Sequence, residues 1–218
     1  FLMHNDLGFA YAQLGRQQEA IEACQQAINI KPDYAPAHYN LGIAYSNLGR
    51  WEEAAEACKQ AIKIKPDYAP AHYNLGIAYG SLGRWREAAE AYKQAINIKP
   101  DHAGAHNNLG FIYGALGRWQ ESAEAFEQAI KIKPDYANAY YGLGSAYGRL
   151  GRWRQAAESY KQAIKIKPDD AEAHYYLGAA CLEIGDKVSA LAEYEILRAL
   201  DAEKANQLLN RINKKEEY

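Results

Sequence analysis

The chain has few of the residues on which small secreted folds and metal proteins depend. Three cysteines occur in 218 residues, Cys24, Cys58 and Cys181, an odd count with no Cys-x-x-Cys pair. Neither a disulfide framework nor a zinc site is indicated, and the three read as small core residues. Phe and Met are scarce, with 4 and 1 copies. There is no excess of positive charge: 25 Lys and Arg stand against 27 Asp and Glu, a net charge of -2. Such a balance argues against nucleic acid as a partner, because a phosphate backbone selects for basic surfaces. No run of about 18 apolar residues is present, and no basic segment with a short apolar stretch opens the chain. Membrane insertion is not expected, and a soluble protein, with the cytoplasm favoured, is. No Ser/His/Asp arrangement, phosphate-cradling Gly loop or inward carboxylate pair stands out, so neither catalysis nor a cofactor is expected.

What the chain does have is repetition, which takes precedence over any reading element by element. Lys-Pro-Asp recurs around Pro32, Pro66, Pro100, Pro134 and Pro168, each 34 residues from the last. Counted from Phe1, the units are 1–34, 35–68, 69–102, 103–136 and 137–170, followed by a divergent sixth, 171–204. In the second unit Ala37, Leu41, Ala44, Tyr45 and Leu48 fall on a 3.6-residue period, and so do Ala54, Ala57, Cys58, Ala61 and Ile62. Each unit is therefore expected to be two amphipathic helices. The first should end at Gly49 and its equivalents Gly83, Gly117 and Gly151, since Gly tolerates the left-handed helix stop. Lys-Pro-Asp should end the second, because proline disfavours helical geometry in the residue before it.

The columns Leu41/Gly42, Leu75/Gly76, Leu109/Gly110 and Leu177/Gly178, with Tyr45, Tyr79, Tyr113 and Tyr147 and with Ala54, Ala88 and Ala156, resemble the tetratricopeptide repeat family over residues 1 to about 204. One departure is His4, His38, His72, His106 and His174 at position four, where the family usually has a large aromatic, as at Tyr140. The resemblance implies an all-α, right-handed α-solenoid of six helix-turn-helix repeats, with first helices on a concave wall. Residues 205–218 add a C-terminal capping helix and tail: Ala205, Leu208, Leu209 and Ile212 form a stripe, with Arg211, Asn213, Lys214, Lys215 and Glu216 polar around it. The amino end has no comparable cap, and its apolar Phe1, Leu2 and Phe9 leave open a homo-oligomer through that face.

On the first helices, positions two, five, six, nine, twelve and thirteen share the side opposite the hairpin partner and are expected to line the groove. Position five holds Tyr39, Tyr73, Asn107, Tyr141 and Tyr175; position six Asn40, Asn74 and Asn108; position nine Ile43, Ile77 and Phe111. Gly80, Gly114 and Gly148 at position twelve leave room beside them. The groove reads as neutral, with amides that both donate and accept and tyrosines that offer flat area with a polar tip. A similar inner asparagine ladder holds peptide backbone in the superhelix of O-linked GlcNAc transferase. The resemblance therefore implies a protein-interaction scaffold that binds an extended peptide in its groove. The alternatives are the substrate-recruiting arm of a larger enzyme, such as a glycosyltransferase, and a self-assembling scaffold. The grip on an acidic chain terminus known in the family needs cations where this chain has Asn5, Pro70 and Asn74.

The histidine column suggests metal, but equivalent residues in stacked units lie about 10 Å apart and zinc ligands only about 2.0 Å from the ion. Packing within the hairpin is the expectation. Trp51, Trp85, Trp119 and Trp153, each preceded by arginine, are expected to pack at junctions between units.

Overall fold

The computed structural model describes residues 1–214. Thirteen helices occur among them and no strand: α1 Leu2–Gln13, α2 Gln17–Ile30, α3 Ala35–Asn47, α4 Trp51–Ile64, α5 Ala69–Ser81, α6 Trp85–Ile98, α7 Ala103–Ala115, α8 Trp119–Ile132, α9 Ala137–Arg149, α10 Trp153–Ile166, α11 Ala171–Glu183, α12 Lys187–Leu200 and α13 Ala202–Lys214. This is the all-α helix-turn-helix repeat class of the solenoids. The chain forms two compact units, Phe1–Ile112 and the part from Tyr113 on.

The turns behave as the glycine and proline columns require. Gly49, Gly83, Gly117 and Gly151 have φ of 71°, 71°, 72° and 72°, and the following Arg50 N–H returns to the Tyr45 carbonyl at 3.0 Å. A Cβ in this region costs about 1–2 kcal/mol. Gly49→Ala is therefore expected to lower the stability of the first unit by about that much in urea unfolding. Arg16, Arg50, Arg84 and Arg118 also lie over the ring of the tyrosine five residues before them, Arg50 over Tyr45 at 4.6 Å and Arg84 over Tyr79 at 4.4 Å. Arg84 Nε and Nη2 donate to Glu87 Oε1 at 2.9 and 2.8 Å, an i,i+3 pair at the start of a helix. The second helices stop at Ile30, Ile64, Ile98, Ile132 and Ile166, just before Lys-Pro-Asp.

In the first unit each first helix packs on its own second helix, α1 on α2, α3 on α4 and α5 on α6. The stack continues because α2 meets α3, α4 meets α5, and the first helices touch in the order α1, α3, α5. The buried residues are small: Ala20, Ala37, Ala44, Ala54, Ala61, Ala71, Ala78 and Ala88 are all 0% exposed. Gly42 shows why. A Cβ there would sit 2.9 Å from Cys58 Sγ, and at Gly76 it would sit 2.7 Å from the Tyr92 ring, so the columns of small residues set the helix spacing. Cys24 and Cys58 are buried, and burial pushes their thiols up to about 11 and about 12.

The second unit repeats this order in α9 to α12 and adds α13 against α11 and α12. Its terminal helix begins at Ala202, three residues before the boundary drawn from the 34-residue count. Asp201 caps it, its Oδ1 accepting from the Glu203 and Lys204 N–H groups at 3.1 Å. Ala205, Leu208 and Ile212 are buried, and Leu209 is half-buried. Of the polar residues read around that stripe, Lys215 and Glu216 lie outside the described residues.

Candidate functional site

Four of the position-four histidines fasten their repeat to the loop before it. Nε2 of His38, His72, His106 and His174 lies 2.9, 2.9, 3.0 and 2.9 Å from the carbonyl oxygen of Pro32, Pro66, Pro100 and Pro168. A carbonyl oxygen only accepts, so the ring Nε2–H donates in each of these bonds. Among the described residues no three His, Cys, Asp or Glu side chains gather as a metal site.

The asparagine column is tied into the first unit's stack. Asn40 Nδ2 donates to Asn5 Oδ1 at 2.9 Å, and Asn74 is hydrogen-bonded to Tyr39. Asn108 Nδ2 reaches the hydroxyls of Tyr73 at 3.2 Å and Tyr92 at 3.3 Å, while Asn107 Nδ2 donates to Asn108 Oδ1 at 3.1 Å. Position six of one unit thus bonds position five of the unit before it. Asn107, expected on the groove, is only 4% exposed, which takes it off the open surface, and Asn40 is buried as well.

The tyrosines are held rigidly. Tyr39 meets Tyr68 edge-on at 5.3 Å, and Tyr73 stacks on His102 at 4.6 Å. Burial raises the phenol of Tyr39 above its usual range and, with Lys99, lowers His102. What the first-helix face leaves open is position nine. Phe9 and Phe111 are 50% and 44% exposed, with Ile43 and Ile77 half-buried between them. Of the other expected groove residues, Tyr141 and Tyr175 lie in the second unit, where Tyr141 and Tyr175 each meet Tyr176 edge-on at 5.9 and 5.1 Å.

The pattern of the C-terminal domain of cilia and flagella-associated protein 70 matches residues 3–213. The chain belongs to this tetratricopeptide repeat family. Among solved structures, MamA is 28% identical, with a TM-score of 0.70 over 76% of this chain and 97% of that one. PilF of Pseudomonas aeruginosa is 17% identical, with a TM-score of 0.82 over 96% of each chain. YrrB, described as a TPR protein with an unusual peptide-binding site, is 18% identical, with a TM-score of 0.76 over 87% of this chain and 99% of that one. No curated protein sequence matches.

Several tetratricopeptide columns take roles that pattern alone does not show. At position twelve, Gly114 and Gly148 do not face an open groove: a Cβ on them would sit 3.1 Å from the Trp119 ring and 3.2 Å from that of Trp153. They make room for the tryptophan of their own hairpin. Between α4, α5 and α6 lies a cleft of about 440 Å³. Ile62, Leu75, Tyr79 and Ala91 make its apolar base, and Lys59, Lys63, Glu87 and Glu90 its rim. The signal for it was the isoleucine repeated at Ile28, Ile62, Ile96, Ile130 and Ile164 on otherwise charged helices. Two arginines were also missed, Arg149 at position thirteen of α9 and Arg211 on α13, which line a common cavity in the second unit.

Proposed function

We propose that the chain is a protein-interaction module whose first unit takes an extended peptide along the open face of α1, α3, α5 and α7. The observation that carries this is the apolar column Phe9, Ile43, Ile77 and Phe111, exposed or half-buried beside tyrosines that the asparagine bonds hold in place. An apolar track bordered by rigid aromatic groups suits alternate side chains of a peptide, since little order is lost when it is covered. In this reading Asn40, Asn74 and Asn108 set the spacing of the track, and a backbone contact from any of them requires exchange of a bond within the stack. The absence of a basic balance favours a protein partner over nucleic acid.

The apolar cleft between α4 and α6 is the competing location, and one experiment separates the two. A peptide selected from a random displayed library against the full chain is titrated by calorimetry into two variants. Ile77→Glu places a charge on the track and is expected to weaken binding by tenfold or more, about 1.4 kcal/mol, with unfolding temperature little changed. Lys63→Glu, a charge reversal on the exposed rim of the outer cleft, is expected to leave affinity as it was. The reverse pattern moves the site to the outer helices.

A further inference from the structure

The second unit carries a cavity of about 270 Å³ that pairs cations with aromatic walls. Trp153 and Tyr160 of α10 and Tyr176 of α11 form the walls, Ala179 lies among them, and Arg149 of α9 and Arg211 of α13 line the same space. The walls are fixed. Tyr160 is buried and stacks with Tyr176 at 5.9 Å and 22°, Ser145 is hydrogen-bonded to Tyr160, and Trp153 lies against Gly148. The arginines are held from outside. The Arg149 guanidinium sits 5.3 Å from the Trp119 ring centroid, and Arg211 Nη2 is a long 3.4 Å from Glu183 Oε1. Two guanidinium-bearing side chains thus line one space, with the Glu183 carboxylate beside Arg211.

We propose that this cavity binds the carboxylate side chain of a glutamate within a partner peptide. The volume falls below the roughly 300–1,000 Å³ typical of drug-sized sites and suits one side chain. Guanidinium forks match a carboxylate in two-point hydrogen bonds, and the surrounding rings lower the local dielectric, which strengthens them. Aromatic walls suit the glutamate methylenes, which a terminal carboxylate carried directly on Cα lacks. The signal is specific to this end of the chain: position thirteen is neutral at Gln13, Asn47, Ser81 and Ala115 and becomes arginine at Arg149. This inference rests on the reading of the chain as a peptide-binding module, but it concerns residues that the first-unit track does not use.

The test uses the full chain and blocked peptides: acetyl-Ala-Ala-Glu-Ala-Ala-amide, its Gln counterpart, and an acetyl-trialanine with a free carboxyl end. Binding is read from the side-chain Nε–H resonances of the arginines by NMR. The Glu peptide is expected to shift Arg149 and Arg211 saturably, with the Gln peptide at least about tenfold weaker, the loss of a charge-assisted bond. Arg149→Gln is expected to weaken the Glu peptide by about tenfold. Arg152→Gln, a neighbouring exposed arginine, is expected to change nothing. Equal binding of the Gln peptide, equal effects of the two arginine variants, or tighter binding of the free terminus overturns the proposal. Library-selected peptides that lose affinity with Ile77→Glu yet ignore Arg149→Gln overturn it alone and leave the track in the first unit standing.

Discussion

Phe126→Ala is expected to destabilise the second unit by about 3–5 kcal/mol, the range for emptying a buried phenylalanine site. Phe126 is 2% exposed and packs with Ala123, Ala129, Ala139, Leu143 and Ala146. It also lies directly under Gly142, where a Cβ would fall 2.3 Å from Cζ. Gly142→Ala is thus expected to cost about 1–3 kcal/mol by overpacking. The two changes share one volume, so the double variant is expected to be less damaged than the sum of the singles, by about 1 kcal/mol or more. Urea unfolding of the three proteins measures this, and strict additivity rules out the shared volume. The pair also explains why position six is Gly here, where the second, third and fourth repeats have Asn40, Asn74 and Asn108. Tyr92 offers Asn108 a hydroxyl at 3.3 Å, whereas Phe126 offers only a ring tip and takes the space itself.

Leu208→Ala is expected to cost about 2–5 kcal/mol and to expose α13 to proteolysis. Leu208 is fully buried, in one cluster with Leu177, Leu197, Ala205 and Ile212. Its Cδ2 would stand 2.5 Å from a Cβ on Gly178, so it fills the space that Cys58 fills against Gly42. Leu209→Ala, half-buried, is expected to lose about 1 kcal/mol or less. Urea unfolding and limited trypsin digestion distinguish the two, and equal effects mean that the stripe buries both leucines alike.

The candidate site was only partly legible in sequence. The face was found, because a 3.6-residue period assigns positions to sides of a helix. The use of each position was not, because hydrogen bonds between units join residues 35 apart, as Asn40 to Asn5 and Asn108 to Tyr73. No local pattern reports such a pair. The same limit hid the match of Gly114 and Gly148 to Trp119 and Trp153, and the cavity that Arg149 and Arg211 both line.

The sequence by itself determined the repeat length, the helix stops and the all-α class. Those properties follow from short-range chemistry: proline excludes helix before it, glycine permits the left-handed stop, and apolar spacing defines a face. Only the tertiary structure decided which polar side chains face neighbours and which remain open. A helix face reads the same whether its amides meet solvent, peptide or the next helix, and the difference lies in distances of about 3 Å set by stacking.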